Sequence, residues 1–163
     1  MQIERVTTSS QIFEVERLGK VIWELHYTPI IGEAQVAYML EKFQSKNAIE
    51  NQIEEGYEYY LINDDTSVGY LSIQKRDEAL FLSKFYVLAS ERGKGYGKFA
   101  LEFINNRALE LECDAIELTV NKYNSKTIGA YHKMGFETVE DVIFDIGSGY
   151  IMDDYRMRKS LNL

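Results

Sequence analysis

Residues 83–103, SKFYVLASERGKGYGKFALEF, constrain this chain more than any other stretch. An apolar run, Phe85-Tyr86-Val87-Leu88, stops at a short turn, and Arg92-Gly93-Lys94-Gly95-Tyr96-Gly97-Lys98 follows. Phe99, Ala100, Phe103, Ile104, Ala108 and Leu111 then recur at helical spacing. Strand, glycine-rich turn and helix in that order is how a main chain wraps phosphate. Glycines allow close approach, the N–H groups of the first helical turn point outward, and the helix dipole favours an anion. Lys84, Arg92, Lys94 and Lys98 share this window with two acids, Glu91 and Glu102. A turn that only joined strand to helix would need neither the glycines nor the cations.

Three phosphate-loop types fit such a stretch to different degrees. A Gly-x-x-x-x-Gly-Lys-Ser/Thr loop fails, because reading back from Gly97-Lys98 puts Arg92 first and Phe99 last. Gly-x-Gly-x-x-Ala fits Gly95, Gly97 and Ala100. That dinucleotide fingerprint, however, opens a long run of βαβ units, and only about sixty residues remain. Arg-x-x-Gly-x-Gly is met by Arg92, Gly95 and Gly97. It resembles the pyrophosphate loop of the GNAT superfamily of acetyl-CoA-dependent N-acetyltransferases.

A second motif strengthens the resemblance. Asn121-x-x-Asn124-x-x-Thr127-x-x-x-Tyr131-x-Lys133-x-Gly135-Phe136 is similar to the segment that follows the family's fifth strand. Thr127 stands where the family pattern has alanine, and Gly129 sits inside the helix at a cost of about 1 kcal/mol. Asn124 and Tyr131 are seven residues apart, about two helical turns, so they share a face. A plain N-cap and a half-buried core tyrosine would explain the pair alone. The upstream loop favours the functional reading.

The remaining chain fits one domain, 1–163, of mixed α/β architecture. A short strand is expected over 2–7, then a helix from a Thr8-x-x-Gln11 capping box with Ile12, Val15, Leu18, Ile22 and Leu25 as its stripe. Trp23, His26 and Tyr27 close that helix. A second helix carries Val36, Met39, Leu40 and Phe43, and a shorter one carries Ile49 and Ile53 behind an Asn47/Glu50 cap. A hairpin over 57–62 and 68–74 turns at 63–66. A strand over Ala79–Val87, apolar on both faces, reads as central. Strands over 115–120, 138–146 and 150–159 follow, with Gly135 ending a short helix. The resemblance implies a mostly antiparallel sheet of about six or seven strands flanked by helices. Its parallel central pair, Ala79–Val87 and 115–120, would splay where acetyl-CoA enters.

The resemblance also assigns roles. Pantetheine would pair like a strand with the backbone of Phe85, Tyr86 and Val87. Pyrophosphate would sit on Arg92, Gly93, Lys94, Gly95, Tyr96, Gly97 and Lys98, with Asn121, Asn124 and Lys133 completing the cofactor contacts. An amide near Phe85 would serve as oxyanion donor. Acetyl transfer needs a neutral amine, hence a proton acceptor, and an acid for the departing thiolate. Tyr131 is the expected acid. No glutamate lies in residues 83–86, so the carboxylate base of some relatives is missing. Water relayed to Glu24, His26, Asp141 or Asp145 would replace it, and His132 is expected to face elsewhere.

Composition narrows the acceptor. The net charge is −8, from 18 basic and 26 acidic residues, which argues against non-specific nucleic-acid binding and suits a cationic partner. Tyr27, Tyr57, Tyr59, Tyr60, Asp145, Asp153 and Asp154 are available to line an acceptor cleft. Aromatics with carboxylates suit a small primary amine, and the layout loosely resembles bacterial polyamine acetyltransferases. A protein or peptide amine is the alternative acceptor, and a non-catalytic acyl-CoA-binding module the alternative role. No metal site is expected. The single cysteine, Cys113, reads as a packed thiol in a reducing compartment. No leader-like or membrane-spanning run is evident, so the expectation is a cytoplasmic protein, with a homodimer compatible.

Overall fold

The computed structural model describes residues 1–161. Its elements are β1 (Gln2–Arg5), α1 (Ser9–His26), α2 (Thr28–Ile31), α3 (Glu33–Phe43), α4 (Lys46–Glu54), β2 (Glu58–Asp64), β3 (Thr66–Arg76) and β4 (Ala79–Val87). A 3₁₀ turn over Ala89–Glu91 leads to α5 (Tyr96–Glu110), β5 (Ala115–Asn121), α6 (Ser125–Lys133), β6 (Glu137–Gly147) and β7 (Tyr150–Ser160). The seven strands form one sheet in the order β1-β2-β3-β4-β5-β7-β6, so β4 is central as its sequence predicts. The β4–β5 ladder is parallel, and the β1–β2, β2–β3, β5–β7 and β6–β7 ladders are antiparallel.

Contacts divide the chain into two units. One comprises Met1–Gln74 and Ser83–Asn106, the other Lys75–Leu82 and the residues from Arg107 onward.

In the first unit, α1 starts at the expected box. The Gln11 amide donates to Thr8 Oγ1 at 3.2 Å, and the Thr8 amide donates to Gln11 Oε1 at 2.9 Å. Two orphan donors are thereby satisfied, a feature worth about 1 kcal/mol. Ile12, Val15, Leu18 and Ile22 are buried with Val6, Ile49, Tyr59, Leu61 and Tyr70 in one apolar cluster. The cap of α4 is Ser45, whose hydroxyl accepts the Ala48 amide at 3.2 Å, and not Asn47. Serine has the shorter reach to the N3 amide, and Asn47 already lies inside the helix. The connection at Thr28–Ile31 is a helical turn with Pro29 in its first positions, where a missing N–H costs nothing. The β2–β3 hairpin is tighter than 63–66 suggests, because Asp65 alone turns it with φ +64°.

The second unit holds the parallel ladder, Ala79↔Ala115, Leu80↔Ile116 and Phe81↔Glu117. Residues 83–87 of β4 lie past the end of that ladder. Cys113, Ala115, Ile116, Leu118, Phe136 and Met157 are all at most 2% exposed, which is the packed environment expected for the thiol. Burial pushes the Cys113 thiol up from its ordinary range.

Candidate active site

The loop of the first unit has the shape its glycines require. Gly93 and Gly95 take φ +80° and +91°, a region costly for other residues. The Gly95 carbonyl accepts the Phe99 amide at 3.1 Å, so Gly95 opens α5. The amides of Tyr96, Gly97 and Lys98 then have no carbonyl one turn back, the donor set an anion uses. Arg92, Gly93, Lys94, Gly95 and Lys98 are exposed, and Gly97 is half-buried. Arg92 Nε donates to the Val87 carbonyl at 3.2 Å, and Lys94 pairs with Glu91 at 2.9 Å. Tyr96 turns its ring inward. Its hydroxyl donates to Asp64 Oδ2 at 2.8 Å, which pins the helix start to β2.

Lys84 is not one of the loop's cations. Strand alternation aims it away from Phe85 into the core, where it is 6% exposed. Its Nζ donates to Gln52 Oε1 at 3.1 Å, to Tyr59 Oη at 2.5 Å and to the Phe43 carbonyl at the end of α3. Burial lowers the Lys84 pKa to about 7. By charge alone the sequence groups this lysine with Arg92, Lys94 and Lys98.

Phe85, Tyr86 and Val87 are half-buried. The Leu88 amide donates to the Val68 carbonyl at 2.8 Å, and a Cβ on Gly69 would collide with the Tyr86 carbonyl oxygen. Gly69 therefore sets how closely β3 lies along the end of β4. The Tyr86 ring meets Trp23 at 5.8 Å and Tyr27 at 6.5 Å, while Trp23 and Tyr27 are 4.3 Å apart. Trp23 Nε1 is buried with no hydrogen-bond partner among the described residues.

In the second unit, the end of β5 carries the other motif. Asn121 Oδ1 accepts the Tyr123 amide at 2.9 Å, and the Asn124 amide donates to the Asn121 carbonyl at 3.0 Å. This bends the chain into α6. Asn124 occupies the N-cap position without capping through its side chain, and it is 2% exposed. Tyr131 is buried on the same helix, as the seven-residue spacing requires. Lys133 is exposed in the last turn, and the exposed His132 turns its Nδ1 to the Phe136 carbonyl. The helix ends as Gly135 predicts. Gly135, with φ +97°, donates to His132 and Phe136 donates to Tyr131.

The sequence profile described as the acetyltransferase (GNAT) family matches residues 22–136, more than half of the chain. The chain belongs to the GNAT acetyltransferase family. It is an N-acetyltransferase acting on an amine acceptor with acetyl-CoA as cosubstrate. It is 30% identical over 130 residues to the uncharacterized N-acetyltransferase YdgE of Bacillus subtilis (strain 168), covering 72% of this chain and 73% of that one. Its fold is similar to the PaiA N-acetyltransferase of Thermoplasma acidophilum in complex with coenzyme A, with TM-score 0.81, 19% identity and coverage of 99% and 100%. A GNAT acetyltransferase of Staphylococcus aureus Mu50 shares the fold at TM-score 0.74 and 18% identity, with coverage of 99% and 100%.

For this acetyltransferase the acceptor-lining residues need correction. Tyr59 and Tyr60 are 1% and 6% exposed, and their hydroxyls are committed to Gln52 and Glu58. They are core residues, because both faces of β2 are covered. Asp145 accepts the Gly147 amide at 2.9 Å within its own hairpin. Asp141 and Asp153 both pair with Lys122, at 3.2 and 2.9 Å. Glu24 is exposed, and His26 meets the Tyr27 ring edge-on at 4.8 Å. Asp154, in contrast, is 2% exposed. Its carboxyl is pushed up to about 6 by burial and then by Asp153, with Lys122 opposing. Among the described residues no helix is long and apolar enough to cross a membrane.

Proposed function

We propose that this acetyltransferase modifies a primary amine of a small cationic molecule, such as a polyamine, by direct attack on the thioester. The observation that carries the acceptor reading is the aromatic group of Trp23, Tyr27 and Tyr86. Ring faces attract an aliphatic ammonium, and a chain of net charge −8 draws cations toward it. The cofactor half rests on the amides of residues 96–98 behind Gly93 and Gly95, with Arg92 and Lys98 at hand for the pyrophosphate. The Thermoplasma relative in complex with coenzyme A supports the same cosubstrate. Pantetheine is assigned to the backbone of Phe85, Tyr86 and Val87. Asn121, Asn124 and Lys133 are assigned to the cofactor, and Tyr131 to protonation of the leaving thiolate. Residues 1–163 act in this reading as one N-acetyltransferase domain, and the family match runs through both units.

A second acceptor class has one specific observation behind it. The orphan Trp23 Nε1 would suit a carbonyl oxygen, which a peptide amine carries and a polyamine does not. A panel of diamines, polyamines, amino-acid amides and peptides, scored by coenzyme A release, separates the two. Polyamines should turn over fastest, and salt should raise their apparent KM. Faster turnover of peptides or of neutral amines overturns the polyamine reading.

A further inference from the structure

The two edge strands of the sheet are built differently. β1 is four residues long and carries Glu4 and Arg5, and a short charged edge resists pairing. β6 runs eleven residues, Glu137–Gly147, with no proline, lysine or arginine in it. It lies last in the strand order, so every second residue directs its N–H and C=O away from β7. From Glu137 to Asp145 every residue but the half-buried Val142 is exposed. Val139, Ile143 and Phe144 are among them, and Ile151 on β7 is exposed as well.

The register shows where that edge is open. The β6–β7 pairing shifts between Thr138 and Glu140 and again between Asp145 and Gly147, which leaves residues 140–145 regular. In that stretch Ile143 pairs with Asp153 and Asp145 with Ile151, so Ile143 and Ile151 are diagonal neighbours on one face. They are 66% and 52% exposed. Val142 and Phe144 lie on the other face, opposite Asp154 and Met152. Both faces are therefore apolar up to an unpaired edge, the combination from which another strand gains most.

We propose that β6 pairs antiparallel with β6 of a second copy of this chain, about a two-fold axis at Val142. Charge decides both the occupant and the register. A cationic peptide would need free carboxylates, but Glu140 pairs with Arg156 at 2.7 Å and Asp141 with Lys122 at 3.2 Å within the chain. A second copy brings the same neutralised, apolar edge, and a two-fold contact requires such self-complementarity. An axis at Asp141 would set that carboxylate against itself, and an axis at Ile143 would set Asp141 against Asp145. Like charges directly opposite each other are destabilising. With the axis at Val142, Asp141 meets Ile143 and Glu140 meets Phe144, so no carboxylate in residues 140–145 faces another. Val142 then meets its own copy on one face, and the two Ile143 side chains become diagonal neighbours on the other. The axis also sits near the centre of the regular stretch, where a ladder forms without strain.

Sedimentation of the full chain from about 1 to 100 µM tests this, and a dimer should form within that range. Ile143→Glu places a carboxylate opposite Asp141 of the second copy and should raise the dimer dissociation constant about tenfold or more. Ile143→Lys places an ammonium there and should raise it clearly less. Because Ile143 is exposed, both variants keep the fold, which circular dichroism and acetyl-CoA binding check. Val142→Cys should give a disulfide-linked dimer on mild oxidation, since paired residues come within bonding reach and Cys113, the one native thiol, is buried. A wild-type monomer across the whole range overturns the proposal. So does a dimer that Ile143→Glu leaves unmoved, one that both Ile143 substitutions weaken alike, or a Val142→Cys protein that stays unlinked.

Discussion

The Phe136 amide donates to the Tyr131 carbonyl at 3.0 Å, and the two rings meet edge to face at 5.4 Å and 69°. One residue therefore holds both the backbone and the ring of the proposed acid. This is the helix-ending pattern in which the second residue past the cap bonds back over the last turn and adds an apolar contact. Tyr131→Phe keeps both of these contacts, the backbone bond and the ring packing. Tyr131→Phe should accordingly leave melting temperature and acetyl-CoA affinity nearly unchanged while kcat falls about 10²–10³-fold. Normal turnover would show that the thiolate leaves unaided. Collapse of cofactor affinity together with rate would make Tyr131 a binding or packing residue.

Cofactor binding has its own check. At a hundredfold excess over its dissociation constant, acetyl-CoA should stabilise the fold by about 2.7 kcal/mol in thermal or denaturant melts. Arg92→Glu should weaken the binding, because it puts a carboxylate beside the pyrophosphate and loses the bond to the Val87 carbonyl. A melt unmoved by acetyl-CoA but raised by ATP would refute the loop assignment.

Gly69 tests the geometry of β4. Its Cβ position is filled by the Tyr86 carbonyl, and the strand partner cannot retreat without breaking the bond from Leu88 to Val68. Gly69→Ala should cost about 1–3 kcal/mol of stability and weaken acetyl-CoA binding more than the stability loss alone explains. Gly93→Ala offers a contrast. Nothing lies within 4 Å of its Cβ, so only the positive φ is penalised.

Local signals made much of this molecule legible from sequence. The Thr8/Gln11 box, the bounds of β4, the glycine that ends α6 and the turn into α5 each depend on residues close together in the chain. What failed depended on residues far apart. Lys84 looks like loop charge until Phe43, Gln52 and Tyr59, all more than twenty positions away, are found around it. Tyr59 and Tyr60 look like cleft aromatics because an alternating strand can expose one face, and here both are buried. Asp154 could be named as a cleft residue, but its separation from Asp153, which Lys122 takes, needs the β5–β7 register.

Lys84 also carries a pH prediction. Burial lowers its folded-state pKa to about 7 from an ordinary value of 10.5, and among the described residues no carboxylate offsets it. Below about pH 7 both folded and unfolded chains bind the proton, and the folded chain bears the full cost of a buried ammonium. Between about 7 and 10.5 the unfolded chain holds the proton and the folded chain does not, so stability rises with pH. The slope contributed is at most about 1.4 kcal/mol per pH unit. Lys84→Met should remove this rise, while Gln52 keeps its bonds to Tyr59 and the Phe43 carbonyl. Denaturant melts of both proteins at pH 6.5 and 9 measure it. The difference in unfolding free energy between the two pH values should be larger for the wild type. If both proteins respond to pH alike, Lys84 stays charged in the fold, and the three oxygens around it hold an ammonium.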